Sequence, residues 1–188
     1  MHRDRGVRTA TLRPPFIYGP HNPFHRESFF WERILAGRPI LVPDDGGRLM
    51  QFVSVSDLVE AALLAADTDA AAGRAYNVAH AETLRQDEVV RALGAAAGIE
   101  PNLCYVRRET LQSLGGRVFE PPFYFGQYFD MPPITMEVAR ARDELGFQAQ
   151  AFSARLHETW HWYRALDRTQ RPEPDFTFED AVLATVGT

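Results

Sequence analysis

The sequence predicts an α/β fold, on three observations. Short β-branched and aromatic runs alternate with segments whose apolar residues recur at helical spacing, an order that builds a sheet covered by helices. Apolar residues make up 45% of the 188-residue chain and aromatic residues 12%, enough for a sizeable core and unlike a disordered chain. There is no internal repeat and no low-complexity segment, so the alternation is not that of a solenoid.

The elements follow in order. "VRTATLRPPF" is a β-rich run from Val7 to Leu12, closed by Pro14 and Pro15, which cannot continue a central strand. "RESFFWERILAG" predicts a helix with Phe29, Phe30, Ile34 and Leu35 on one face and Gly37 at its end. "RPILVPDDGG" predicts a strand turning at Asp44-Asp45-Gly46-Gly47, and "RLMQFVSV" a further strand. Ser56-Asp57 then opens the helix "SDLVEAALLAADTD". "GRAYNVAHA" reads as a strand, "TLRQDEVVRALGAAAG" as a helix from an N-cap at Thr83 to Gly98, and "PNLCYVRRE" as a strand. The pattern is irregular and aromatic through "FEPPFYFGQYFDMPP", then helical in "TMEVARARDELG" and "SARLHETWHWYRAL". The expected division is a main unit over residues 1–170, then a Pro-rich link and terminal helix over 171–188, with Thr177-x-x-Asp180 as a capping box.

Composition excludes several kinds of chemistry. A net charge of −5 argues against a nucleic-acid or anionic-membrane surface. No apolar run approaches the ~20 residues of a membrane span, "MHRDRG" is no signal peptide, and the expected location is the cytoplasm. The single cysteine, Cys104, rules out an internal disulfide and reads as a core residue of its strand. All 20 basic residues are arginine, so no step that needs a lysine ammonium can be carried out by this chain alone. There is also no G-x-G-x-x-G loop between a strand and a helix.

"LRPPFIYGP", "QFVSVSDLVEA", "AYNVAHAETLRQDEVV", "ARARDELGF" and "LHETWHWY" occur in an order and at spacings that span nearly the whole chain. Together they resemble the C-terminal part of an extended short-chain dehydrogenase/reductase, the NAD-dependent epimerase/dehydratase family. The aromatic "FYFGQYFD" and the closing "DFTFEDAVLA" look closer to the branch near chloroplast stem-loop-binding proteins. The resemblance implies the last strands of a Rossmann-type sheet with a small mixed α/β substrate-binding lobe. It also implies that the glycine-rich cofactor loop and the Tyr-x-x-x-Lys pair belong to a half preceding Met1.

In such enzymes the "RPxxxYGP" strand ends beside the nicotinamide, where α/β sheets place their ligands. By resemblance, backbone around Pro14, Pro15 and Phe16 lines the cofactor pocket, and Tyr18, Gly19 and Pro20 turn the chain into the substrate lobe. His21 and Asn22 follow that turn as candidate substrate contacts, and Tyr128 belongs to an aromatic segment (Tyr124, Phe125, Tyr128, Phe129) suited to covering a ligand or a core. Nucleotide-sugar members carry an asparagine where this chain has Ile17, and an arginine where it has Met50. Arg48, two residues earlier on the same strand face, is placed to substitute. Losing the diphosphate arginine would cost about 1.5–3 kcal/mol, which weighs against a nucleotide-sugar substrate.

His157 and His161 stand at i, i+4, but no third ligand accompanies them, so packing beside Trp160 and Trp162 is expected and no metal site. Asp57 is expected as a helix N-terminal acid rather than a base. No residue of this chain is assigned a catalytic role.

The expected function is the substrate-binding half of an NAD(P)-dependent sugar or nucleotide-sugar epimerase, dehydratase or reductase, inactive alone. The alternative is a non-catalytic binding module of the same descent, possibly RNA-associated as in the stem-loop-binding branch. The expected partner is a Rossmann half in trans or a second copy, with a sugar-like small molecule as substrate and neither nucleic acid nor membrane. Without a phosphate-cradling loop, the isolated chain should bind neither NAD(H) nor NADP(H). Calorimetric titration giving a micromolar Kd would overturn that expectation.

Overall fold

The computed structural model describes residues 7–120, 125–171 and 173–187. Among the described residues, eight short strands and seven α-helices alternate along the chain. β1 (Thr11–Arg13) pairs in parallel with β6 (Ala75–Asn77), β2 (Phe16–Tyr18) with β5 (Phe52–Ser54), and β3 (Ile40–Pro43) with β8 (Leu103–Val106). Only β4 (Leu49–Met50) and β7 (Leu84–Arg85) pair antiparallel among the described strands. Parallel neighbours need long crossovers, and helices α1 (Glu27–Leu35), α2 (Val55–Asp67) and α3 (Gln86–Ala97) supply them.

Several boundaries differ from those read in the sequence, each for a local reason. The first strand lies later than Val7–Leu12, although Thr9 already accepts a hydrogen bond from Gly73 N (2.7 Å). "RLMQFVSV" is two strands, not one. They separate at Gln51, whose buried carboxamide donates to His80 O (2.7 Å) and accepts from Met136 N (2.8 Å). Helix α2 is capped by Ser54 rather than opened by Ser56: Ser54 Oγ accepts from Asp57 N at 3.0 Å.

Helix α3 starts after Arg85, not Thr83, and the Arg85 amide donates back to Glu88 Oε2 (2.7 Å). β8 ends at Val106, and the following "RRE" enters a short helix, α4 (Arg108–Ser113). The expected Thr177–Asp180 box is absent. Asp175 Oδ1 instead accepts from both the amide (2.9 Å) and the hydroxyl (2.6 Å) of Thr177. Gly37 and Gly98 end α1 and α3 as expected, both with positive φ.

Two apolar clusters form the interior. The larger joins α1, α3, α6 (Phe152–Ala165) and α7 (Thr177–Val186) to β2, β3 and the segment 125–129. The smaller gathers Val53, Ala61, Ala65, Tyr76 and Val78 against α5 (Ala139–Leu145). Helix α1 is buried nearly all round, with Trp31 and Arg33 inside and Leu35 exposed, because α7 and Tyr128 cover a second face.

That second face carries an ion pair. Arg33, 2% exposed, meets Glu179, fully buried, and Tyr128 donates its hydroxyl to the same carboxylate. Arg33 also donates to Phe29 O (3.1 Å) and Asp175 O (3.0 Å), so its charge is spread over three acceptors. Glu179→Ala would leave a buried guanidinium without its counter-charge, and should destabilise the chain by about 3 kcal/mol. Asp180→Ala, which removes the exposed partner of Arg38, should cost under about 1 kcal/mol. Denaturant melts of the two variants check the contrast.

Candidate functional site

β2 runs into Gly19, and this position tolerates no side chain. Its φ is 132°, and a Cβ there would sit 2.8 Å from Val55 Cγ1 at the start of α2. The chain then turns: Asn22 N donates to Gly19 O (3.3 Å), His21 takes a φ of 62°, and Asn22 Oδ1 accepts from Phe24 N (3.0 Å). The loop and the end of β2 enclose an open groove of about 460 Å³. Pro15, Phe16, Ile17 and Phe24 give it apolar walls, and His21, Asn22 and Arg26 give it polar groups.

The structure therefore brings together Pro15, Phe16, Tyr18, His21 and Asn22. Tyr18 lines the groove with its main chain, since its side chain is 2% exposed and turned into the core. Pro14 is half-buried in the link between β1 and β2 and does not line the groove. Tyr128 is not brought there either, being buried against Glu179. Tyr124 lies outside the described residues.

Arg48 also sits elsewhere, committed to the buried Asp130. Its Nη1 is 3.1 Å from both the carbonyl and the Oδ1 of that residue. Arg108 shares Asp130 through Nη2 (3.0 Å) and also pairs with Asp44. Two guanidinium groups and two carboxylates thus neutralise one another at that cluster. Met50, two residues after Arg48, is buried.

The Tyr18 hydroxyl reaches His80 Nε2 at 2.9 Å, and His80 Nδ1 is 2.7 Å from Gln150 O. A carbonyl can only accept, so Nδ1 carries the proton and Tyr18 donates to Nε2. Burial pushes the Tyr18 phenol up and the His80 imidazole down, so both are neutral near pH 7. This pair braces the fold behind the groove. Asp57, also buried, is held by Arg155 at 2.7 Å. His157 and His161 are exposed on α6 rather than packed beside Trp160 and Trp162. Among the described residues no group of three His, Cys, Asp or Glu is placed to hold a metal.

Sequence reading missed Arg26, Glu27 and His80. Arg26 packs its guanidinium over the rings of Phe16 (5.1 Å) and Phe24 (5.5 Å). Glu27 is 6% exposed at the start of α1, where Asn22 Nδ2 offers only long contacts of 3.4 and 3.5 Å to its oxygens. Burial pushes its carboxyl up to about 7 from an ordinary 4.5. The run "HRES" carries no signal that separates these two from a solvated helix start.

With this geometry established, comparison with known proteins identifies the fold. Residues 1–79 match the family model described as NAD dependent epimerase/dehydratase family. The chain is similar to the extended short-chain dehydrogenase/reductases of that family, and its fold matches about half of a Rossmann-type epimerase. It is 29% identical over 97% of its length to the "chloroplast stem-loop binding protein of 41 kDa b" of Arabidopsis thaliana, covering 46% of that protein. It is 27% identical over 81% of its length to a UDP-glucose 4-epimerase of Mycolicibacterium smegmatis, covering 44% of it. Among solved structures, the UDP-glucose 4-epimerase of Thermotoga maritima superposes with a TM-score of 0.62 over 86% of this chain and 48% of its own, at 21% identity. The chain thus spans about half the length of the curated relatives it matches. The groove lies at the carboxyl end of a parallel strand, β2, the position where α/β sheets place their ligands.

Glu27 generates a pH dependence. A carboxyl whose folded value is raised binds its proton more tightly in the folded state, so the stability it contributes is complete below about 4.5 and is lost as pH rises through about 7. Glu27→Gln should therefore match the parent at pH ~5, exceed it by roughly 1–3 kcal/mol at pH ~8, and flatten the slope between. Denaturant melts at the two pH values test this.

Proposed function

We infer that this chain is the substrate-binding half of an NAD(P)-dependent sugar or nucleotide-sugar epimerase, dehydratase or reductase, working in the cytoplasm with a cofactor-binding half supplied in trans. Two observations carry this reading: the groove behind Gly19, open and partly polar, and a β1 edge that no described residue pairs. In β1, Thr11 N and Arg13 O bond toward β6, so the alternating groups of Ala10 and Leu12 point to the opposite edge. Next to that edge lies an open cleft bounded by Thr9, Ala10, Leu12, Ala62, Ala65 and Ala66. Val59 and Leu63 are exposed on the same helix, so α2 shows an unpartnered apolar stripe. An extended strand with an apolar helix following it, as in a Rossmann half, suits both features.

Two solved relatives, one at 26% identity, are complexes containing NAD. The residues here fit one end of such a cofactor: Pro15 and Phe16 offer an apolar wall to a flat ring, and the chain has no glycine-rich loop for the diphosphate. The nicotinamide would accept or return a hydride. What this chain contributes is the pocket wall, the orientation of the substrate and exclusion of water. Proton transfer by a tyrosine–lysine pair would come from the partner, since no lysine is present.

A binding module without catalysis is the second reading, favoured by the match over 97% of the chain to a protein named for stem-loop binding. The net charge of −5, with most arginines held in ion pairs, weighs against an RNA surface.

Seating a partner over several hundred Å² of apolar surface is worth several kcal/mol at about 25 cal/mol per Å², comparable with a domain's whole stability. Alone, the chain should therefore sediment as dimers or larger species and show background-level turnover. Co-expression with a family Rossmann half should raise its melting temperature and yield NAD(P)-dependent conversion of a sugar substrate. A monomer with a sharp, concentration-independent transition that ignores the added half would instead establish the autonomous module.

A further inference from the structure

We propose that the groove takes an organic anion, a carboxylate or phosphate attached to a flat apolar body, and that Arg26 is the residue that anchors it. This deepens the reading of the groove as a substrate wall, because it names the chemical class of what enters.

Arg26 stands apart from the other described arginines. Arg33, Arg48, Arg108 and Arg155 are each held by a buried carboxylate. Arg171 donates to the carbonyls of Arg164 and Leu166. Arg13, Arg74 and Arg164 have no ion-pair partner but are exposed, where water solvates the charge. Arg26 is half-buried, lines the groove, packs over the rings of Phe16 and Phe24, and among the described residues has no carboxylate paired to it. A guanidinium that packs over rings without an ion-pair partner keeps N–H donors with which it can meet a carboxylate or phosphate in two parallel hydrogen bonds. Burial lowers the Arg26 pKa, which reports that its charge has lost part of its hydration without a full counter-charge in return.

The surroundings favour an anion further. Glu27 is the one acid with an appreciable field at Arg26, and burial leaves it largely protonated below about 7. Arg26 stands at the N-terminus of α1, which has no side-chain cap, so the helix adds positive potential there. The apolar part of the ligand has its own wall: Pro15, Phe16 and Ile17 on one side and the 65% exposed Phe24 on the other. Phe24 is held in place by the Asn22 side chain, so the clamp is formed before any ligand arrives.

The test is titration of the 188-residue chain with phenyl phosphate, benzoate and neutral benzyl alcohol, followed by calorimetry and by amide shifts at His21 and Phe24. Both anions should bind, the alcohol should not, and whichever anion is tighter identifies the head group. Arg26→Gln should weaken anion binding about tenfold or more at unchanged circular dichroism, Arg26→Lys should retain part of it, and the exposed Arg13→Gln should change nothing. Affinity for benzoate, whose charge is constant over this range, should also fall between pH ~6 and ~8 as Glu27 ionises beside Arg26 in a groove that His21 also lines, and Glu27→Gln should weaken that dependence. Binding of benzyl alcohol as tight as that of the anions would overturn the proposal. So would an Arg26→Gln affinity within about twofold of the parent, or no anion binding at all. These readouts do not involve the Rossmann half: anion binding without complementation would sink the enzyme-half reading alone, and complementation without an Arg26 effect would sink this one alone.

Discussion

The groove and both apolar clusters depend on how His80 is held. It lies just past β6, 1% exposed, and its four polar groups all find partners. The amide donates to Phe52 O (2.7 Å) and the carbonyl accepts from Gln51 Nε2 (2.7 Å). Nδ1 donates to Gln150 O (2.7 Å), and Nε2 accepts from Tyr18 (2.9 Å). One residue therefore ties the end of β2, the junction of β4 and β5, and the approach to α6. A buried polar group with every bond made stabilises a single arrangement, and one left short costs its full desolvation. The Tyr18 proton is the limiting resource, since Phe152 O stands 3.3 Å away and competes for it.

This arrangement separates the two tasks of β2. Alternation along the strand sends the side chains of Phe16 and Tyr18 inward and that of Ile17 outward, at 40% exposure. The inward pair joins aromatic contacts with Phe52, Phe129 and Phe152. The outward side, continued through Gly19 and the Asn22 turn, is the groove, which the largely buried Phe16 also borders. Because the bracing is internal, the groove wall can stay open to solvent without loosening the strand that forms it.

The tail is integral to the core. Glu179 and Val182 of α7 are fully buried, and the pair with Arg33 brings two ends of the sequence into one charge network. Glu179 Oε2 has no partner among the described residues, so this network is not saturated. Such pairs fix an arrangement more reliably than they add stability, and here the arrangement is the docking of α7 on α1.

How much of this was legible in the sequence follows from the range of the forces involved. Helix periodicity, the glycine stops at 37 and 98 and the proline break after Arg13 are set by neighbours within a few residues, and they read correctly. The order of five short motifs pointed to the family that the comparisons also match, and the absence of lysine excluded Tyr-x-x-x-Lys chemistry within the chain. The split of "RLMQFVSV" at Gln51 was not legible, because it depends on hydrogen bonds to residues 29 and 85 positions away. Nor was the sorting of the arginines. Arg48 and Arg26 look equally available in sequence, and only the fold sets a buried Asp130 against one and two phenyl rings around the other. Local sterics and periodicity act along the chain, whereas burial and charge pairing act through space, and it is burial and pairing that decide which polar residues are left to bind a ligand.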